Sequence, residues 1–313
     1  PIAIKDKLAS RIKVISRMDI SEKRVPQDGK MKLKVEPDRV IDFRVSTLPT
    51  LFGEKIVIRI LDPSSAKLGI DALGYEPEEK ERLLSAIGRP YGMILVTGPT
   101  GSGKTVSLYT CLNLLNKPGV NIATAEDPSE INLPGVNQVN VNDKAGLTFA
   151  VALKSFLRQD PDIIMVGEIR DEETAAIATT AANTGHLVLS SVHANDAPST
   201  LLRLTALNAE AYALAEALLC FFSQRLLRNL CSNCAIPVAL SEDEQQNLPT
   251  RNPQATYFRM ASEGCPMCHG QGHVGRIPVI ELALNTADVR EAILTQNMQN
   301  IREALYRQPS YRT

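Results

Sequence analysis

The segment Gly98-Pro99-Thr100-Gly101-Ser102-Gly103-Lys104-Thr105 constrains this chain more than any other, because it fits the pattern GxxxxGK[ST]. An apolar run at 93–97 precedes it and a helical pattern at 104–115 follows, so it reads as the loop between a buried strand and a helix. Its glycines let successive backbone N–H groups turn inward around phosphate oxygens, and the helix N-terminus adds the positive end of its dipole. Lys104 is expected to neutralise the β- and γ-phosphates, and the Thr105 hydroxyl to ligate Mg²⁺. The expectation is a site that binds and hydrolyses ATP.

Strand and helix patterns alternate around this loop. Strands are expected at 121–126, 162–166 and 187–192, with helices at 147–158 and 172–183. Such alternation predicts an α/β fold, a parallel sheet covered on both faces. Beyond Ser199 two further helices are expected, at 201–207 and 209–227. Ahead of the core, Ile4, Leu8, Ile12, Ile15 and Met18 recur at helical spacing over 2–18. Pro26-Gln27-Asp28-Gly29 reads as a turn, and short strands are expected at 31–35, 40–45 and 56–61, separated by Leu48-Pro49-Thr50 and Phe52-Gly53. The chain therefore divides into a smaller α+β N-terminal domain at 1–63, a linker at 64–67 and a P-loop ATPase domain at 68–313. Within the last, a tetracysteine subdomain at 228–280 precedes C-terminal helices.

Composition removes some function classes. The 313 residues carry a formal net charge of −1 and only 4% aromatics, so neither a broad basic surface nor a base-stacking groove for nucleic acid is indicated. A DNA translocase is accordingly disfavoured, and no direct nucleic-acid partner is expected. No apolar run approaches the ~18–20 residues that would span a bilayer. The sequence begins at Pro1 without a signal-peptide pattern, so a cytoplasmic fragment with further domains upstream is expected.

Hydrolysis needs an acid on the metal side and a residue that orients water. The apolar run Ile163-Ile164-Met165-Val166-Gly167-Glu168 ends in one such acid, where a parallel strand meets the crevice of its sheet. The second acidic segment, Thr124-Ala125-Glu126-Asp127-Pro128-Ser129-Glu130, supplies Glu126 as base or water-positioner, although spacing alone also allows a solvated acidic turn. His186 and His193 bracket the strand at 187–192. Either could report a γ-phosphate, and a lone strand-terminal His is also commonly structural. Cys231/Cys234 and Cys265/Cys268 form two CxxC pairs able to supply four thiolates to Zn²⁺. Cys265-Pro266-Met267-Cys268-His269 also matches a c-type haem signature, but that attachment needs export. Cys111 and Cys220 sit in apolar contexts and read as core.

Taken in order, these motifs resemble the secretion-superfamily ATPases of type IV pilus assembly and type II secretion. The resemblance covers nearly the whole chain. It adds Arg44-Val45-Ser46-Thr47-Leu48-Pro49-Thr50, Gly53-Glu54-Lys55 with Arg59, Leu157-Arg158-Gln159-Asp160-Pro161-Asp162, Gly167-Glu168-Ile169-Arg170-Asp171, Thr184-Gly185-His186 and Gln224-Arg225-Leu226. It implies a RecA-like core in which Glu126 is catalytic, Glu168 is associated with Mg²⁺ and His186 or His193 touches the γ-phosphate. It further implies that Arg44 and Arg59, from an N2-like domain, reach the nucleotide. The tetracysteine element implies the assembly and secretion branch rather than retraction motors. A homo-hexamer peripheral to the inner membrane is implied, acting through a platform protein to polymerise pilin, or alternatively to extend the pseudopilus of type II secretion.

Overall fold

The computed structural model describes residues 4–36, 39–61, 69–248, 255–308 and 311. Its N-terminal part packs helix α1 (Lys5–Ile15) on an antiparallel sheet of β1 (Gln27–Glu36), β2 (Arg39–Thr50) and β3 (Gly53–Leu61). Met18, Met31 and Val45 form its small core, with Ile12, Phe43 and Ile56 packed against them. A buried ion pair, Lys13 to Glu54 at 2.5 Å, ties α1 to the start of β3. The expected linker at 64–67 lies outside the described residues.

Two turn expectations fail here. Gln27, Asp28 and Gly29 lie inside β1, paired with Thr47, Ser46 and Val45. Gly29 serves close packing rather than a turn, since a Cβ there would stand 2.3 Å from the Ser16 carbonyl oxygen. Leu48-Pro49-Thr50 likewise continues β2, opposite Lys55, Glu54 and Gly53, so the hairpin turns through Leu51 and Phe52 alone.

The core begins with α2 (Pro77–Ile87), β4 (Gly92–Thr97), α3 (Lys104–Leu115), β5 (Ile122–Glu126), β6 (Asn137–Asn140), α4 (Phe149–Phe156), β7 (Ile163–Val166), α5 (Glu172–Asn183) and β8 (Leu187–Val192). It continues through α6 (Ala197–Ala206), α7 (Ala211–Ala217), β9 (Leu218–Leu230), β10 (Ile236–Val238), α8 (Glu242–Gln246), β11 (Tyr257–Arg259), β12 (His273–Leu284), α9 (Ala287–Thr295) and α10 (Met298–Tyr306). A seven-stranded sheet runs in the order β12-β9-β4-β8-β7-β5-β6, and all neighbours are parallel except the β12–β9 pair. Every residue of β4, β5, β7 and β8 is buried, as expected for strands covered on both faces. The α/β class is as expected, with a mostly parallel central sheet.

Helix starts follow their local chemistry. The Asp171, Asp196 and Thr148 side chains cap α5, α6 and α4 by accepting from backbone N–H groups. The predicted helix 209–227 is corrected: α7 stops at Ala217 and the chain continues as β9. The run Leu218-Leu219-Cys220-Phe221-Phe222 has neither helical nor alternating period, so periodicity cannot assign it. Pairing decides it, because β9 fills the position between β4 and β12. The sequence reading also lacks β6 and β12.

Candidate functional site

The phosphate loop follows β4 at the carboxyl end of the parallel strands. Gly98 has φ +137°, and a Cβ there would meet the Gln224 carbonyl oxygen at 2.3 Å. Gly103, at φ +90°, would place a Cβ 2.7 Å from the Gln224 side-chain nitrogen. Side chains are thus excluded at both positions by conformation and by space. Gln224, reached from β9, braces the loop. Its Nε2 donates to the Ser102 carbonyl at 2.7 Å, while its Oε1 accepts from Ser107 Oγ at 2.7 Å and Tyr75 Oη at 3.1 Å.

A cleft of about 660 Å³ opens beside this loop. Thr100 to Thr105, Glu126, Asp127, Glu130, Glu168 and His193 line it, joined by Arg44 and Arg59 from the N-terminal sheet. Of the residues expected to be catalytic, His186 is placed elsewhere. Its carbonyl accepts from Gly92 N–H, at the start of β4, and its ring Nδ1 lies 3.0 Å from the Ala181 carbonyl. The length of β8 separates it from His193, roughly 20 Å at ~3.3 Å per residue. Between the two histidines, geometry leaves only His193 in the cleft.

The cleft's charges are arranged as a network. Lys104 Nζ donates to the Gly98 and Pro99 carbonyls at 2.7 and 3.1 Å. Burial lowers the Lys104 pKa, opposed by the nearby charge of Glu168. Glu168 accepts from Arg170 and lies 3.2 Å from His193 Nε2; the Arg170 hydrogen bond is the main cause that holds its carboxyl below the ordinary value. Arg170 also reaches Asp127 at 3.1 Å and lies 5.6 Å over the Phe149 ring. Burial raises the Glu130 pKa, opposed by Arg44 and Arg59.

Two features fit an anion. Arg44 and Arg59 stand directly opposite each other on β2 and β3, and like charges so placed destabilise a sheet unless something negative sits between them. Among the described residues, buried Arg44 Nε and Ser102 Oγ also have no hydrogen-bond partner, which suits donors kept for phosphate oxygens. Thr105 and Glu168, both lining the cleft and both bearing oxygen ligands, suit a hard cation such as Mg²⁺.

Apart from the cleft, Cys231, Cys234, Cys265 and Cys268 converge with all four sulfurs within 4.8 Å of one another. The Cys231–Cys265, Cys234–Cys268 and Cys265–Cys268 separations are 3.7, 3.8 and 3.7 Å. A thiolate tetrahedron with Zn–S of about 2.3 Å has edges of about 3.8 Å. Backbone N–H groups of Cys265 and Gly272 point at Cys268 Sγ, each at 3.1 Å. The Asn233 amide beside Cys265 is the largest influence bringing that thiol down to about 6. The cluster is compatible with zinc.

Sequence reasoning missed Tyr109, Gln224 as a brace, and Arg170. Gln224 lies far from the acids and the loop in sequence, and Tyr109, though close behind the loop on α3, meets Glu126 only through the fold. Arg170 has a signal, two residues past Glu168.

A family model described as Type II/IV secretion system protein matches residues 1–313. The Type IV pilus assembly ATPase PilB of Acinetobacter baylyi is 56% identical over 297 residues, covering 94% of this chain and 51% of that protein. Type II secretion system protein E of Pectobacterium carotovorum subsp. carotovorum is 48% identical over 286 residues, covering 91% and 57%. Among solved structures, the pilus retraction motor PilT with bound ADP superposes with a TM-score of 0.63 at 27% identity, covering 90% of this chain and 69% of that one. The chain spans about half the length of the PilB relatives it matches.

Proposed function

The chain belongs to the Type II/IV secretion system protein family, and we propose that it is the motor portion of a hexameric ATPase that drives type IV pilus assembly. The observation that carries this reading is one cleft holding the phosphate loop, Glu126, Glu168 and His193 together with two arginines from the N-terminal sheet. The higher identity to a pilus assembly ATPase than to a type II secretion one favours pilin polymerisation over pseudopilus extension.

In this reading the backbone N–H groups of residues 100–105 cradle ATP phosphates, and Lys104 neutralises the β- and γ-groups. Thr105 and Glu168 would hold Mg²⁺, which when bound screens phosphate charge. Glu126 orients the attacking water, and His193, whose Nε2 lies 3.2 Å from Glu168, can report a γ-phosphate. Arg44 and Arg59 fork onto the phosphate oxygens and stabilise charge in the transition state. Because those arginines belong to the smaller N-terminal domain, at 1–63, hydrolysis changes what holds that domain against the ATPase domain. Coupled to an inner-membrane platform protein, the resulting motion would extrude pilin from the cytoplasmic side. Among the described residues no helix is long and apolar enough to cross a membrane, which suits a peripheral motor. The four cysteines are assigned to one structural Zn²⁺.

Phosphate release with and without Glu126 tests this. Glu126→Gln should lower turnover on the order of 10²-fold or more while ATP binding persists. Undiminished hydrolysis by that variant would remove Glu126 from the mechanism.

A further inference from the structure

Glu126 is only 4% exposed, at the end of β5, and three donors converge on its carboxylate. Thr124, two residues earlier on the same strand face, donates from Oγ1 to Oε1 at 2.7 Å, and Gln138 Nε2 donates to the same oxygen at 3.0 Å. The Tyr109 hydroxyl donates to Oε2. A second bond sets the direction of that one. Glu130 N–H donates to the Tyr109 oxygen at 3.1 Å, which leaves the phenolic proton for Glu126.

This arrangement decides how many acceptor positions remain. An ionised carboxylate offers about four; Oε1 uses two and Oε2 one. A single position is left on Oε2, on a side chain that lines the cleft. A carboxylate so held can take one water and cannot rotate without losing several hydrogen bonds at once.

Tyr109 has a particular place in the chain. It lies on α3, five residues after Lys104, so its ring moves with the helix whose first turn carries Lys104 and Thr105. It is fully buried, and burial, with the adjacent Glu126 charge, raises its pKa far above the ordinary phenol value, so the hydroxyl stays protonated as a donor. Through Glu130 N–H it also holds the turn whose acidic side chain faces Arg44 and Arg59. Phosphate helix, water-orienting acid and the turn beneath the arginines therefore meet at one hydroxyl.

We propose that Tyr109 is a positioning residue for hydrolysis, a joint that fixes the open acceptor of Glu126 relative to the phosphate helix and the Glu130 turn. This rests on the reading of Glu126 as the residue that orients water. Lys104 and the loop backbone lie outside this joint, so nucleotide binding is expected to persist without it. Its loss acts on kcat.

Tyr109→Phe keeps the ring and removes both hydrogen bonds. The expected result is a fall in kcat of roughly tenfold or more, with the dissociation constant of a fluorescent ATP analogue unchanged. Thr124→Val, which removes another donor at nearly constant shape, should split kcat from binding in the same way. Wild-type kcat in folded Tyr109→Phe would overturn the inference, as would a loss of kcat matched by an equal loss of nucleotide affinity. Should Tyr109→Phe fail to fold, wild-type turnover by Thr124→Val would overturn it instead. Glu126→Gln keeps the two levels apart. If that variant hydrolyses ATP normally, the underlying reading fails; if it is inactive while Tyr109→Phe is fully active, only the role of Tyr109 fails.

Discussion

Arg44 and Arg59 show what a single residue's setting can say about function. Nothing in the composition of their strands marks them, since Arg in an exposed strand is ordinary. Only the ordered motifs around them point to the nucleotide. The structure adds a physical reason: paired across β2 and β3, with Arg44 Nε buried and unpartnered, they form a site short of negative charge. Glu130 supplies part of that charge at a cost of burial, seen in its raised pKa. Arg44→Ala should therefore reduce ATPase activity on the order of 10²-fold, yet leave nucleotide-free stability unchanged or raised because a like-charge pair is relieved. Thermal melts with and without an ATP analogue check this. The wild-type protein should gain more from the analogue than the variant does.

At the scale of elements, how much was legible depended on periodicity. Helix α3 and strand β8 appear with the expected limits, because loop chemistry and bounding histidines frame them. Strand β9 was illegible as a strand, since an apolar run buried on both faces reads equally as helix or strand. That error matters for function. Strand β9 braces the phosphate loop through Gln224 and ends at Leu230, one residue before Cys231, so the cysteine cluster is joined directly to the strand beneath the nucleotide site. The four cysteines were legible from their CxxC spacing, whereas the 3.7–3.8 Å sulfur separations needed the fold. Elemental analysis should find about one zinc per chain, and Cys231→Ser combined with Cys265→Ser should lose both the metal and several degrees of melting temperature. Unchanged stability in that variant would show that the cysteines are not a structural metal site.

For the whole molecule, the proposed function requires that ATP bound in the cleft joins the arginine-bearing sheet to the ATPase core, and that hydrolysis releases it. A ring of such chains would turn six local closures into work on a membrane platform. Among the described residues the N-terminal sheet has its own apolar core around Val45, separate from those that cover the seven-stranded sheet, which suits movement as a unit. The most direct measurement is the distance between the sheet and the core in each nucleotide state. Spin labels introduced as non-natural residues at Leu51, on the exposed β2–β3 turn, and at Tyr212, on α7, leave the four clustered cysteines untouched. With ATP trapped by Glu126→Gln, one narrow distance distribution is expected; with ADP, a shifted or broader one. Identical distributions in the two states would contradict the proposed function.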